Sequence, residues 1–282
     1  MRTSSHPRQS RAIIALVCTG AAFTIFNFLL QSATAHTPAT IAGLALCVVF
    51  AALVGVAHAG TWPAACVGAW LLAAMYLATV SQPDGPIWRS ALPPVFVLLT
   101  LTLLATRFRR AGKEQSHLAE SRHGRTAAQV CANLGVAALC AAFLHVPLAH
   151  VAAQLALAAA LVEAAADTLS SEIGQAFPGS RTLLLTTGQR VPAGTDGGVS
   201  LVGTVSGFAG GATVAATCVW ALHSSWVGML LAWAAGVAGI FFDSLLGATA
   251  ERRGWLGNDA VNFLSTLFAA LCAAAMAQLV RL

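Results

Sequence analysis

The strongest constraint on this chain is a series of nine long apolar segments joined by short polar ones. Its residues are 57% hydrophobic and only 9% charged, whereas soluble domains are about 25% charged. A hydrocarbon core of about 30 Å needs about 20 apolar residues as a helix, and about 17 at the short end. The segments of this length are Ala12–Leu30, Ile41–Ala57, Ala64–Val80, Ser90–Thr106, Ala127–Val146, Val151–Ile173, Val199–Leu222, Trp226–Leu246 and Ala260–Val280.

This pattern predicts an all-α fold, a polytopic integral membrane protein with eight or nine transmembrane helices. Eight is the alternative because Ser90–Thr106 carries Pro93 and Pro94 near its start. The first segment follows basic residues, as a signal peptide does. However, its nineteen apolar residues exceed the usual range of about 7–15. We therefore expect it to be an uncleaved first helix.

Basic residues fall mainly on one side of the alternating spans. With the N-terminus inside, the inside segments are 1–11, 58–63, 107–126, 174–198 and 247–259. They hold thirteen of the fifteen Lys and Arg, and only Arg89 and Arg281 lie on the other side. Cytoplasmic loops carry an excess of Lys and Arg. We therefore expect the N-terminus and these loops to be cytoplasmic.

Charge also divides the chain into three parts. Residues 1–106 form a four-helix membrane region with a single acidic residue, Asp84. Residues 107–126 form a basic cytoplasmic loop, for which attraction to anionic lipid of about 1 kcal/mol per basic residue is the simplest role. Residues 127–282 form a membrane domain with seven of the ten acidic residues. The lipid bilayer is thus the expected partner, no nucleic acid is expected, and the oligomeric state stays open.

Acidic clusters at the ends of apolar segments indicate a candidate site. They lie at 166–174, 194–198, 242–247 and 258–262, all on the predicted cytoplasmic side. A carboxylate at the edge of a bilayer is costly unless it is paired, hydrated or bound to a metal, so a functional role is its default interpretation. We predict Asp167, Asp243 and Asp259 to be both the catalytic residues and the metal ligands.

Polar stripes on two helices and a glycine-rich loop extend this candidate site. Arg125, Gln129 and Asn133 recur every four residues and so line one helix face, and Glu163, Asp167 and Ser171 do the same in the sixth segment. Small residues at 194–198 precede a helix, where backbone N–H groups can approach an anion. The predicted substrate- and nucleotide-binding residues are Arg125, Gln129, Asn133, Ser171, Glu172, Arg190, Thr195, Asp196, Gly197, Gly198 and Asn262.

Carboxylates with Asn and Ser nearby, and without a Cys/His set, are hard oxygen donors. Such donors suit Mg²⁺, which one or two carboxylates hold together with substrate phosphates. Arginines on the same side can neutralise phosphoryl oxygens. Phosphoryl transfer needs mainly positioning and charge stabilisation, which this set can supply. No Ser-His-Asp or Cys-His set is visible, so acyl transfer is disfavoured.

Five motifs in order carry a resemblance to a known family. They are GRTAAQVxAN at 124–133, ADTLSSEIG at 166–174, GTDGGVS at 194–200, DSLLGAT at 243–249 and NDAVNFLST at 258–266. Over about 107–282 the chain resembles the integral-membrane family called domain of unknown function 92, which includes transmembrane protein 19 and a phytyl-phosphate kinase. The resemblance implies a membrane-embedded kinase that transfers a phosphoryl group from a nucleoside triphosphate, with CTP favoured, to an isoprenyl monophosphate.

Two other functions stay open. Intramembrane carboxylates also mark ion paths, so a cation- or proton-coupled transporter is one alternative, and Glu163 is the deepest acid that favours it. The other is a membrane cytidylyltransferase acting on a lipid phosphate. Acids clustered at one mouth favour an enzyme, because transport sites lie near the midplane.

Overall fold

The fold is an all-α bundle, seen here in a computed structural model that describes residues 6–31, 37–80, 86–119, 121, 123–177 and 181–280. Asp84 lies outside these ranges. Within them the helices are α1 (Pro7–Gln31), α2 (Pro38–Val56), α3 (Trp62–Thr79), α4 (Leu92–Arg107), α5 (Arg110–Gln115), α6 (Ala127–Ala141), α7 (His150–Gln175), α8 (Leu201–Leu222), α9 (Trp226–Leu246) and α10 (Asn258–Val280).

Nine of these ten helices coincide with the nine predicted apolar segments, which confirms the fold class. Seven helices in the described part of the chain are long and apolar enough to cross a membrane. The other two apolar helices, α4 and α6, have 16 and 15 residues, below the about 17 needed for a straight span. The fifth segment ends at Ala141 instead of Val146, because turns and a 3-10 helix at Pro147–Ala149 follow it.

Side-chain hydroxyls fix the starts of several helices. At an N-cap, a Ser or Thr oxygen accepts a hydrogen bond from a backbone N–H that has no partner within the helix. The caps of this kind are Thr37, Thr61, Thr126, Ser200 and Ser225. Proline also occupies the first turn of α2, α3 and α4, where its missing N–H costs nothing.

Four elements within the polar segments were not predicted from apolar patterns. The short α5 lies in the basic loop, and a π-helical turn, Gly247–Glu251, continues α9. Strands β1 (Thr182–Leu184) and β2 (Gly198–Ser200) pair antiparallel, with Leu183 opposite Val199. The small sheet ties the 174–198 segment to the start of α8.

The most enclosed helix is α7, which packs against α4, α6, α8, α9 and α10. Alanines and leucines from Leu155 to Ala166 are almost completely buried. The approach of α8 is close because glycines face α7. A Cβ atom on Gly203 would lie 2.5 Å from the Ser170 carbonyl oxygen, and one on Gly207 2.7 Å from that of Ala166. Small residues of this kind let helices pack tightly in lipid.

The polar segments that were predicted to share one side meet at one end of the bundle. Gln9 Nε2 donates to the Trp255 carbonyl oxygen at 2.9 Å, and Arg109 Nη1 donates to that of Ala176 at 3.4 Å. At the other end, Gln154 Nε2 donates to the Leu222 carbonyl oxygen at 2.7 Å, and Arg89 contacts the Trp220 carbonyl. We call the first of these the polar end.

Single cysteines should report this arrangement. In a background without the seven native cysteines, exposed residues 190 and 253 at the polar end are each changed to Cys, as is exposed His223 at the other end. Because the bilayer blocks a membrane-impermeant maleimide, Arg190→Cys and Arg253→Cys should label from one side and His223→Cys from the opposite side. Labelling of Arg190→Cys and Arg253→Cys from opposite sides would contradict the fold.

Candidate functional site

A polar cavity of about 280 Å³ lies at the polar end, between α6, α7, α9, α10 and the segment that contains β1 and β2. It gathers most of the residues predicted from the sequence. Those that line it are Arg125, Gln129, Asn133, Asp167, Ser171, Glu172, Thr195, Asp196, Gly197, Gly198, Asp243 and Asn262. The structure thus brings residues from five separate motifs together around one cavity.

Two predicted site residues do not line this cavity. The Asp259 carboxylate accepts a hydrogen bond from Ser10 Oγ on α1 at 2.5 Å. Arg190 is exposed, and its backbone forms a bridge with Leu183. Among the described residues, no group of three or more His, Cys, Asp and Glu side chains is placed to hold a metal ion. Two of the three predicted aspartates therefore share the cavity, and the third lies against α1.

Sequence reasoning did not assign Glu251 to the site, yet it lines the cavity. The eighth span was predicted to end at Leu246, whereas the helix continues as a π-helical turn to Glu251. Glu251 thereby comes within electrostatic range of Asp196 and Asp167. Single π-helical turns are rare and frequently lie at functional sites. The eight-residue spacing from Asp243, about two helical turns, was the available signal.

Arg125 is held in place by the backbone rather than by its own helix. Its N–H donates to the Ala59 carbonyl oxygen, and its carbonyl oxygen accepts from the Thr61 N–H, both at 3.0 Å. Gly124 precedes it with a φ of 74°, a conformation that favours glycine. The guanidinium then reaches α7, where Nη2 donates to Thr168 Oγ1 at 3.2 Å. The turn between α2 and α3 therefore positions Arg125, a cation that lines the cavity.

The polar stripe that follows Arg125 also builds the start of α6. Thr126 and Gln129 form a capping box, in which Gln129 Oε1 accepts from the Thr126 N–H at 2.7 Å. Asn133 Nδ2 donates to the Gln129 carbonyl oxygen at 2.9 Å. The Gln129 side chain therefore has a structural partner, and Asn133 lines the cavity one turn further along the helix.

Glu172 forms a buried ion pair with Lys113, which comes from α5. Lys113 is 1% exposed, and its Nζ also donates to the carbonyl oxygens of Ala105 and Thr106 at 3.1 and 3.0 Å. Those carbonyls belong to the end of α4, where cations interact favourably with the helix dipole. Removing one partner of a buried ion pair is strongly destabilising, so Glu172 joins α4 and α5 to α7 as well as lining the cavity.

The 194–198 loop closes one side of the cavity by packing on the π-helical turn. A Cβ atom on Gly197, which has a φ of 75°, would lie 2.4 Å from Ala248. Asp196 is thereby held next to the cavity. Partial burial raises the pKa of the Asp196 carboxyl, and the nearby Arg252 opposes that rise. Burial thus opposes the charged form of Asp196, and a cation bound in the cavity would favour that form.

One acid lies deeper than the cavity. Glu163 is 1% exposed, and neither carboxylate oxygen has a hydrogen-bond partner within the described ranges. It lies one helical turn before Asp167, near the middle of α7. Buried charged groups are normally paired or bind metals, so Glu163 marks a second functional candidate.

Comparisons with known proteins bear on this geometry. The chain matches the family model described as integral membrane protein DUF92 over residues 32–270. The match begins well before residue 107, so the similarity covers more than the five motifs. No solved structure matches the chain.

Three relatives illustrate the family. An uncharacterised membrane protein of Synechocystis is 33% identical over 73% of this chain and 78% of its own length. An uncharacterised membrane protein of Methanocaldococcus jannaschii is 36% identical over 38% of this chain and 44% of its own. Protein VTE6, chloroplastic, of Arabidopsis thaliana is 30% identical over 62% of this chain and 55% of its own.

Substituting Gly124 tests the turn that positions Arg125. An alanine Cβ there would lie 2.5 Å from backbone atoms of residues 58–60, in addition to the roughly 1–2 kcal/mol cost of a left-handed conformation. Gly188→Ala is a matched control, because its φ is 66° but nothing lies within 4 Å. In detergent, Gly124→Ala should lower the Tm several degrees more than Gly188→Ala. Equal Tm values would show that the contact is unimportant.

Proposed function

Since the chain belongs to the DUF92 family of integral membrane proteins, we propose that it is a membrane-embedded kinase. It transfers a phosphoryl group from a nucleoside triphosphate, with CTP favoured, to an isoprenyl monophosphate. The observation that carries this proposal is the cavity in which Asp167 and Asp243 lie with Arg125 at the polar end of an apolar bundle. Such a cavity can admit a water-soluble nucleotide at the end of a bundle whose outer surface is apolar.

The reaction requires positioning more than covalent chemistry. A phosphate oxygen of the isoprenyl monophosphate attacks the γ-phosphorus, and the bond from that phosphorus to the β,γ-bridging oxygen breaks. Isoprenyl diphosphate and a nucleoside diphosphate result. Arg125 would bind one phosphate, and the backbone N–H of Gly197 would approach another, whereas the Gly198 N–H already donates to the Thr195 carbonyl oxygen at 2.8 Å. These contacts would align the two substrates.

The donor set fits Mg²⁺. Asp167 and Asp243 would hold it, with neighbouring hydroxyl and amide oxygens from Ser244 and Asn262 available in the same wall. Mg²⁺ is bound by one or two carboxylates together with substrate phosphates, so a three-carboxylate set is unnecessary. When bound, the ion would neutralise charge on the transferring phosphoryl group. The carboxylates of Asp196 and Glu251 would keep the surrounding potential favourable for cations.

The relatives support this proposal at a coarser level. Protein VTE6, chloroplastic, matches over part of both chains, and the family resemblance implies isoprenyl phosphate as the acceptor. We further propose that the polar end faces the cytoplasm, because thirteen of fifteen Lys and Arg lie in its segments. A membrane cytidylyltransferase would use the same cavity and differ by releasing pyrophosphate.

One observation favours a second function, a cation- or proton-coupled transporter. Glu163 lies near the middle of α7, buried and without a hydrogen-bond partner in the described structure. Transport sites lie near the bilayer midplane, and this acid is placed as such a site requires. The acids that line the polar cavity lie closer to the polar end.

Product analysis separates these functions. Purified protein is incubated in detergent with Mg²⁺, labelled CTP or ATP, and a panel of isoprenyl monophosphates. A kinase yields isoprenyl diphosphate and nucleoside diphosphate, and a cytidylyltransferase yields pyrophosphate. Protein that consumes no nucleotide with any acceptor, yet moves an ion across liposomes, would establish the transporter instead.

Asp167→Asn tests the charge of the cavity. The amide keeps the size and removes the charge, so folding should survive while kcat falls about a thousandfold, as expected where fixed charge stabilises a transition state. Glu114→Gln makes the same chemical change on α5, outside the cavity, in a half-exposed pair with Arg110. Its kcat should stay within about twofold of wild type. Similar losses in both variants would show that the effect is not specific to the cavity.

A further inference from the structure

A second cavity adjoins the polar one and is apolar. It has a volume of about 70 Å³ and lies between α2, α3, α4, α6 and α7. Phe50, Leu98 and Val130 contribute to its walls. The space arises because α2 packs on α3 and α3 on α6, whereas α4 packs mainly on α7 and α8. A gap is therefore left between α4 and the pair formed by α2 and α3, and the Phe50 ring contacts Phe96 across it, at 5.6 Å between centroids.

The two cavities share Arg125 and Asn133. The guanidinium of Arg125 donates to Thr168, which lines the polar cavity. The methylene stem of an arginine is apolar and can line a hydrocarbon surface while its head stays in a polar one. Arg125 thus lies at the boundary between a charged compartment and an apolar one. A ligand that spans the boundary must carry a charged head next to an apolar tail.

We propose that the apolar cavity holds the first isoprene unit of the lipid substrate, the unit joined to the phosphate bound at Arg125. This inference rests on the proposed function and assigns a role to residues 1–106, whose helices α2, α3 and α4 supply much of the wall. At about one water position per 10–15 Å³, 70 Å³ accommodates roughly five water-sized groups, comparable to a five-carbon unit. The rest of the tail extends between α2 and α4 into the bilayer.

We call the apolar cavity the slot. Its shape, rather than its hydrophobicity, determines which lipid tails it accepts. Lipid tails are as apolar as leucine side chains, so leaving the bilayer for the slot changes the surroundings of the tail little. The slot instead fixes the direction in which the tail leaves the phosphate. A side chain that fills the slot leaves no path for the tail while the phosphate is at Arg125, and affinity for the whole lipid should fall.

Two threonines on α4 provide a matched test. Thr102 is half-buried and lines the apolar cavity. Thr100 is exposed two residues earlier, so it lies on the opposite side of the helix. Thr102→Trp places a large ring in the slot, and Thr100→Trp places the same ring outside. Binding of geranyl, geranylgeranyl and methyl phosphate is measured in detergent without nucleotide, by competition with radiolabelled geranyl monophosphate, and methyl phosphate serves as the tail-free probe. Because Thr102→Trp should also weaken binding of the radiolabelled probe, inhibition constants are corrected for the probe's affinity for each variant.

Thr102→Trp should weaken binding of the two isoprenyl monophosphates at least tenfold and leave methyl phosphate binding unchanged. Thr100→Trp should match wild type for all three. If the wild type binds no isoprenyl monophosphate, the proposed function fails together with this inference. If the wild type binds them and Thr102→Trp binds them equally well, only the slot is overturned, and a loss common to both variants overturns it too.

A measurement on the unmodified protein keeps the test decisive if Thr102→Trp does not fold. A geranyl monophosphate analogue with a diazirine on its first isoprene unit is photolysed with wild-type protein, and the labelled peptides are identified by mass spectrometry. Label should appear on α2 around Phe50, on α4 around Leu98 or on α6 around Val130. Label confined to α8, α9 or the outer face of α1 would overturn the proposal.

Discussion

The structure depends on the burial of one charged helix, α7, within an apolar bundle. Glu163, Asp167 and Glu172 lie along it, and an uncompensated carboxylate in hydrocarbon costs several kcal/mol. Five other helices cover α7, so none of these acids faces lipid. Each is treated differently: Glu172 pairs with Lys113, Asp167 faces the polar cavity, and Glu163 is enclosed. The three acids of one helix therefore have three different surroundings: an ion pair, a polar cavity and an enclosed apolar position.

The polar cavity also depends on the N-terminal helices. The turn between α2 and α3 forms two backbone hydrogen bonds with Arg125, and its approach requires Gly124. The polar cavity and the apolar cavity then meet at this arginine. Residues 1–106 thus help to position Arg125 and also add apolar surface to the bundle. This arrangement explains why one membrane protein would need both a motif-bearing core and a region without polar motifs.

Sequence reasoning predicted the elements better than their contacts. The nine apolar segments follow from length and hydropathy, and stripes at four-residue spacing placed Asn133 and Asp167 on inward faces. The sequence pattern places Asp259 and Asp243 at the same depth in the membrane. Depth does not determine which way a side chain points around its helix axis, and the Asp259 carboxylate lies next to Ser10. Glu251 was missed because the eighth apolar segment was predicted to end at Leu246, whereas a π-helical turn continues the helix. Pairing of Lys113 with Glu172, 59 residues apart, is a long-range contact that local patterns do not reveal.

We propose that the two cavities together bind one lipid phosphate beside a nucleotide, with its head in the polar cavity and its tail in the apolar one. The most direct measurement is a cryo-electron microscopy structure of the full chain with Mg²⁺, geranylgeranyl monophosphate and a non-hydrolysable CTP analogue. The account predicts lipid phosphate density at Arg125, a tail leaving between α2 and α4, and nucleotide phosphates beside the 194–198 loop. Well-resolved ligand density on another face of the bundle, with both cavities empty, would contradict it.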